Sequence, residues 1–97
     1  MTQKELDGHK VGDAISDSTR VEILQHLLKC YPKSLTMNKI EKALSKHVSP
    51  TTISFHLRKL REAGFVITNG HKKGFRALRP TINITVSDNG VRVEEEE

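Results

Sequence analysis

Residues 49–66 read SPTTISFHLRKLREAGFV, and this stretch decides the fold. Ser49 brings a hydroxyl able to take an otherwise unpaired backbone N–H in a first helical turn. Pro50 follows at the first helical position, where a missing N–H costs nothing. Ile53, Leu57 and Leu60 recur at helical spacing and make one apolar stripe. Thr51, Phe55, Arg58 and Lys59 lie on the opposite arc, with Ser54 and Arg61 on one flank and Thr52 and His56 on the other. Gly64 stops the helix, and Phe65, Val66 and Ile67 continue as a strand. One side of this helix is made to be buried, and the other is basic and rich in hydrogen-bonding groups. An element that enters a DNA major groove needs that division.

Upstream, Thr36 is a candidate cap for a helix in which Met37, Ile40 and Leu44 fall at helical spacing, with Ala43 beside them. Lys39, Lys42 and Lys46 stay on its solvent side. His47, Val48 and Ser49 then form a short turn into the helix described above, with Val48 placed to plug the gap. Two short helices joined by a tight turn, the second polar on its outer face, make a helix-turn-helix. Further upstream, Ser16, Asp17 and Ser18 offer several caps for a helix whose Val21, Ile23, Leu24, Leu27 and Leu28 cover a broad arc. That breadth places it at the centre of the core, and Pro32 ends it. Residues 1–15 are polar and interrupted by Gly8 and Gly12. Leu6, Val11, Ala14 and Ile15 give no clean stripe there, so an N-terminal arm or a short helix is expected.

Downstream, residues 65–68 and 75–78 flank Asn69, Gly70, His71, Lys72, Lys73 and Gly74, a hairpin with a basic tip. After Pro80, Ile82, Ile84 and Val86 alternate with Thr81, Asn83 and Thr85, a strand with one buried face. Asn89-Gly90 is a strong two-residue turn signal. A turn there pairs Val86 with Val93 and Asp88 with Val91, keeping the valines on the isoleucine face.

The chain's 97 residues suit one domain. It divides into the arm at 1–15, a winged helix-turn-helix over 16–80, and a C-terminal β-hairpin with an acidic end over 81–97. The expected class is therefore α+β. Charge is unevenly placed: residues 33–79 hold eleven Lys or Arg against two acids, a net +9. The remainder holds five basic and ten acidic groups, a net −5, and the two parts give the overall +4. A basic middle between acidic ends fits a face that meets phosphate, although a solvated surface with uneven charge gives the same count. Cys30 is alone, which leaves no internal disulfide and no cysteine-cluster metal site. It reads as a small, partly buried thiol more readily than as a redox sensor. His9, His26, His47, His56 and His71 lack ligand spacing, so no metal or cofactor is expected. There is no paired nucleophile and base and no phosphate-binding glycine loop, so no enzyme activity is expected either. With no long apolar run and no secretory leader, a cytoplasmic protein is the expectation.

Two segments carry a family resemblance. Asp17-Ser18-Thr19-Arg20-Val21-Glu22-Ile23-Leu24 resembles the opening helix of the ArsR-type (arsenic-repressor-like) winged-helix regulators. Thr52-Ile53-Ser54-Phe55-His56-Leu57-Arg58-Lys59-Leu60-Arg61-Glu62-Ala63-Gly64-Phe65-Val66 resembles their recognition helix, from its Ser-x-His-Leu core to its Ala-Gly-hydrophobic-Val exit. Together they span roughly residues 16–79. The chain departs from the family in two places. Lys39, Ile40, Glu41 and Lys42 stand where thiols of a metal-sensing motif belong, and a β-hairpin replaces the family's closing helix. Metal-responsive derepression is therefore not carried over.

The resemblance implies a transcriptional regulator, by family habit a repressor, that binds double-stranded DNA as a homodimer. Helix 50–63 would enter the major groove and wing 69–76 would lie on the backbone or in the minor groove. Thr51, Thr52, Ser54, Phe55, His56 and Arg58 are the candidates for base edges, with Phe55 able to pack on thymine methyls. Lys39, Lys59, Arg61, His71, Lys72, Lys73 and Arg76 complete the expected contact set. Folding back of Phe55 onto the wing or a partner, and packing of His56 beside Leu60, are the structural alternatives. The rival function is a winged-helix protein-interaction module without sequence-specific DNA binding, served by an exposed Phe55 and an apolar hairpin. RNA is disfavoured, because the chain lacks clustered aromatics to stack on unpaired bases.

Overall fold

In the computed structural model the described residues are 2–5, 8–70, 73–88 and 90–95. Local signals set the helices. Of the three cap candidates before α2 (Ser18–Cys30), Asp17 serves, its carboxylate accepting the backbone N–H of Arg20. Thr36 opens α3 (Met37–Ala43) by accepting from Lys39. Ser49 opens α4 (Pro50–Glu62) by accepting from Thr52, with Pro50 just inside. At the far end of α4 the Phe65 N–H donates to the Leu60 carbonyl and the Gly64 N–H to that of Arg61. Gly64 has φ +82°. This pair of bonds satisfies carbonyls the helix would leave orphaned, and it turns the chain directly into a strand.

The three helices meet on their apolar stripes. Ile23 and Leu27 from α2, Ile40 from α3, and Ile53, Leu57 and Leu60 from α4 are fully buried. Val48 is buried in the turn between α3 and α4. Glu22 of α2 accepts both the backbone N–H and the hydroxyl of Ser45, fastening the exit of α3 to α2. The second helix of the helix-turn-helix is thus held against a solid support, which its outer face needs to be aimed.

The wing consists of β2 (Val66–Thr68) and β3 (Phe75–Ala77), antiparallel, with Val66 opposite Ala77 and Thr68 opposite Phe75. Leu35 adds a rung. Its N–H donates to the Phe75 carbonyl at 2.7 Å, and its carbonyl accepts the Phe75 N–H at 2.8 Å. The wing is therefore pinned to the link between α2 and α3. Gly74 makes this approach possible: its φ is +89°, and a Cβ there would stand 2.5 Å from the Leu35 carbonyl oxygen. Gly74→Ala combines a disfavoured backbone region with a clash against main chain. It is expected to cost about 2–4 kcal/mol, read as a fall in the urea midpoint.

A second sheet has the order β1 (Thr2–Glu5), β5 (Gly90–Glu95), β4 (Asn83–Ser87), all antiparallel. Within the segment read as an arm or short helix, α1 (Gly8–Ile15) buries Val11 and Ala14, and β1 precedes it. The strand had no sequence signal, because Thr2, Gln3, Lys4 and Glu5 carry no apolar alternation. It is made by backbone pairing to the edge of β5. The register of the C-terminal hairpin also needs correction. Val86 pairs with Val91, Ile84 with Val93 and Ser87 with Gly90. The expected pairing of Val86 with Val93 is off by two residues. A two-residue slip leaves every side chain on its original face, so apolar alternation cannot tell the two registers apart. Asn89 itself lies outside the described residues. Ile82, Ile84 and Val91 pack against the core, while Val86 is 74% exposed.

Candidate nucleic-acid interface

The stripe and the arc of α4 separate as their spacing requires. Ile53, Leu57 and Leu60 are buried, and Thr51, Thr52, Ser54, Phe55, Arg58 and Arg61 are exposed. A groove of about 570 Å³ runs between α4 and the wing. Thr51, Ser54, Phe55, Arg58 and Arg61 form one wall and Phe75 of β3 contributes to the other. Two guanidinium groups and two hydroxyls on one concave surface can donate to base edges and to phosphate oxygens.

Phe55 stands 44% exposed within a set of cations. The guanidinium of Arg58 lies 5.3 Å from the ring centre, the ammonium of Lys59 5.6 Å and the guanidinium of Arg20 5.7 Å. These contacts hold an apolar ring in water-facing company without folding it into the core.

His56 departs from expectation. It was a candidate for base edges, yet the structure leaves it only 6% exposed, on the inner side of α4. Its Nδ1 accepts a hydrogen bond from Arg20 Nε at 3.1 Å. Since guanidinium nitrogens only donate, the imidazole is neutral and carries its proton at Nε2. That nitrogen faces Asp17 Oδ1 at 3.9 Å. Arg20, itself buried, also donates from its NH1 group to the Asp13 carbonyl of α1.

A comparison with known families decides what this surface belongs to. The model of the bacterial regulatory proteins of the arsR family matches residues 17–68, which is more than half of the chain. The chain belongs to the arsR family. Neither the curated proteins nor the solved structures contain a match to it. The matched segment holds α2, α3, α4 and β2, the helix-turn-helix with the first strand of its wing. This ArsR-family chain is accordingly a DNA-binding transcriptional regulator of winged helix-turn-helix form.

The remaining candidates of the ArsR-family chain fall into four groups. Lys39 is exposed on α3, and Lys73 is exposed on the wing. Arg76 is half-buried in β3 and donates to the Ala77 carbonyl at 3.2 Å. Lys59 is half-buried, its ammonium 3.8 Å from Asp13 Oδ2 of α1 and 3.9 Å from Glu62 Oε1. His71 and Lys72 lie outside the described residues. The family's metal site does not fit this chain: no thiol stands in residues 39–42, and among the described residues no cluster of His, Cys, Asp or Glu could hold an ion. Among them, too, no helix is long and apolar enough to cross a membrane.

Burial lowers the His56 pKa below its ordinary 6.5, with the charge of Arg20 acting the same way and that of Asp17 opposing. The unfolded chain then takes up this proton first as pH falls. The stability contributed by neutral His56 is present above pH 6.5 and is lost as pH drops towards the lowered folded value. Asp17 is lowered chiefly by the Arg20 backbone N–H, and Glu22 chiefly by that of Ser45. Their contributions persist to lower pH and fade below 3.8 and 4.5 respectively. Urea midpoints measured across pH are expected to fall in two separate windows, and removing His56 should abolish the upper one.

Proposed function

We propose that this regulator is a sequence-specific repressor that binds a two-fold symmetric operator as a homodimer in the cytoplasm. Helix 50–63 enters the major groove, and wing 69–76 lies on the backbone or in the minor groove. Thr51, Thr52, Ser54, Phe55 and Arg58 meet base edges, while Arg61, Lys39, Lys73 and the wing's other cations meet phosphate. The observation that carries this reading is the open outer arc of α4 over a closed apolar stripe. One short helix gives limited contact, and a dimer doubles it. Exposed Ile15 and Val86 are apolar side chains that a second copy could cover. Repression itself rests on the family resemblance.

Selection of bound duplexes from a random pool at physiological salt tests the proposal. Enrichment of a palindrome supports both base reading and dimer symmetry. No enrichment would overturn sequence-specific binding and favour the protein-docking alternative. Within the same system, replacing Lys72 and Lys73 with alanine is expected to weaken all duplexes alike and to flatten the slope of affinity against salt by about two phosphate contacts. Loss confined to the enriched duplex would contradict that role.

A further inference from the structure

Arg20 and His56 form a polar pair inside an otherwise apolar contact between α2 and α4. Arg20 is one of the three buried polar or charged side chains among the described residues, with Thr19 and His56. Its fork reaches three places at once. One N–H goes to the Asp13 carbonyl in the last turn of α1, which also accepts the Ser16 hydroxyl at 3.0 Å. Its Nε goes to His56 Nδ1 on the inner side of α4. Its central carbon lies 5.7 Å from the centre of the ring of Phe55, the residue before His56, which points outward. Phe55 and His56 also touch edge to face, with centroids 5.9 Å apart. One guanidinium thus joins α1, the buried side of α4 and the exposed side of α4.

We infer that Arg20 is a positioning residue for DNA reading: acting through His56 and Phe55, it fixes the rotational setting with which α4 presents Thr51, Ser54, Phe55 and Arg58, and it does so only while His56 accepts its hydrogen bond. The inference rests on the DNA-binding reading above and adds to it a dependence on the protonation of one buried ring.

The chemistry follows from donor and acceptor inventories. Arg20 has five N–H donors and no acceptor, so the bond at Nδ1 requires an unprotonated nitrogen. A proton added to His56 Nδ1 sets two donors and two positive charges against each other at 3.1 Å. The groups that face the ring are Arg20 from α2 and Asp17 from its cap, while Lys59, one turn along α4, pairs with the Asp13 carboxylate of α1. Asp17 alone can compensate, from the Nε2 side at 3.9 Å. The contact therefore loosens where α4 is aimed, while the stripe of Ile53, Leu57 and Leu60 keeps the helix in place.

A fall in pH also adds positive charge to any protein surface, which favours any duplex. The ratio of affinities for the enriched duplex and for a scrambled duplex of equal length removes that shared term. One pH unit below the His56 midpoint about one-tenth of molecules retain the acceptor, so the ratio is expected to fall about tenfold from its value at high pH.

The experiment combines this pH profile with NMR titration of the free protein. His56 should show the Nε2–H tautomer at neutral pH, and the Phe55 ring signals should move with the His56 midpoint. His56→Asn places an amide oxygen near Nδ1 as an acceptor that does not titrate, and its affinity ratio should stay flat across the same pH range. Arg20→Lys keeps the charge but lacks the fork, and should lower the ratio about tenfold at every pH while sparing the scrambled duplex. An equal pH profile in wild type and His56→Asn would overturn the inference, as would Phe55 signals indifferent to His56. If Phe55 follows His56 but the wild type binds no duplex, the DNA reading itself falls and takes the inference with it.

Discussion

Alanine in place of Arg58 is expected to lower affinity for the enriched duplex by about 1–3 kcal/mol, roughly ten- to a hundredfold. Arg58 is exposed in the middle of the outer arc, on the groove between α4 and the wing. Its guanidinium rests 5.3 Å from the centre of the Phe55 ring, which limits where its donors point. Truncation removes a bidentate donor and the cation that steadies Phe55. Because the side chain is exposed, the fold should barely notice, with a change in stability of about 0.5 kcal/mol or less. Titrations against the enriched and the scrambled duplex separate base contact from phosphate contact. A larger loss on the enriched duplex is expected, and equal losses would reduce Arg58 to a phosphate anchor.

Leu27→Ala should act in the reverse manner. Leu27 is fully buried at the centre of α2, the helix that packs against α1, α3, α4 and β3. Removing three methylene-sized groups from a site that cannot collapse around the gap is expected to cost about 2–5 kcal/mol. A domain of this size has a total stability of about 5–15 kcal/mol, so the loss is a large share of the whole. The urea midpoint should drop steeply. DNA affinity measured on the fraction still folded should change little, since Leu27 lies on the far side of the stripe from the reading arc. Loss of affinity without loss of stability would contradict its purely structural role.

The parts of this fold that were legible in the sequence are those that local chemistry specifies. The Ser49 cap, the Ile53–Leu57–Leu60 spacing and the Gly64 exit each act within a few residues, and each appears as its spacing requires. What was not legible depends on partners distant in sequence. The Leu35–Phe75 rung is a backbone contact with no side-chain signature, and β1 exists only because β5 offers an edge. The hairpin register was ambiguous because two registers share a face.

His56 and Arg20 teach a different lesson. His56 flanks the stripe of Ile53, Leu57 and Leu60, and Arg20 falls in line with Ile23, Leu24 and Leu27, so both polar residues lie on or beside apolar stripes. One polar residue on such a stripe is ambiguous. Two on stripes that face each other, with one a pure donor and the other a ring acceptor, indicate a buried pair. The pairing of Lys59 with Asp13 was not legible for a related reason, since Asp13 lies on α1, far away in sequence. Only the packing of α1 on α4 brings that carboxylate near.

The measurement closest to the central claim is the NMR spectrum of the protein bound to its enriched duplex. Contacts are expected between the Phe55 ring and thymine methyl protons, with the largest amide shifts at Thr51, Ser54, Phe55 and Arg58. Shifts confined to the β1–β5–β4 sheet, with those α4 residues unmoved, would contradict groove reading by this helix.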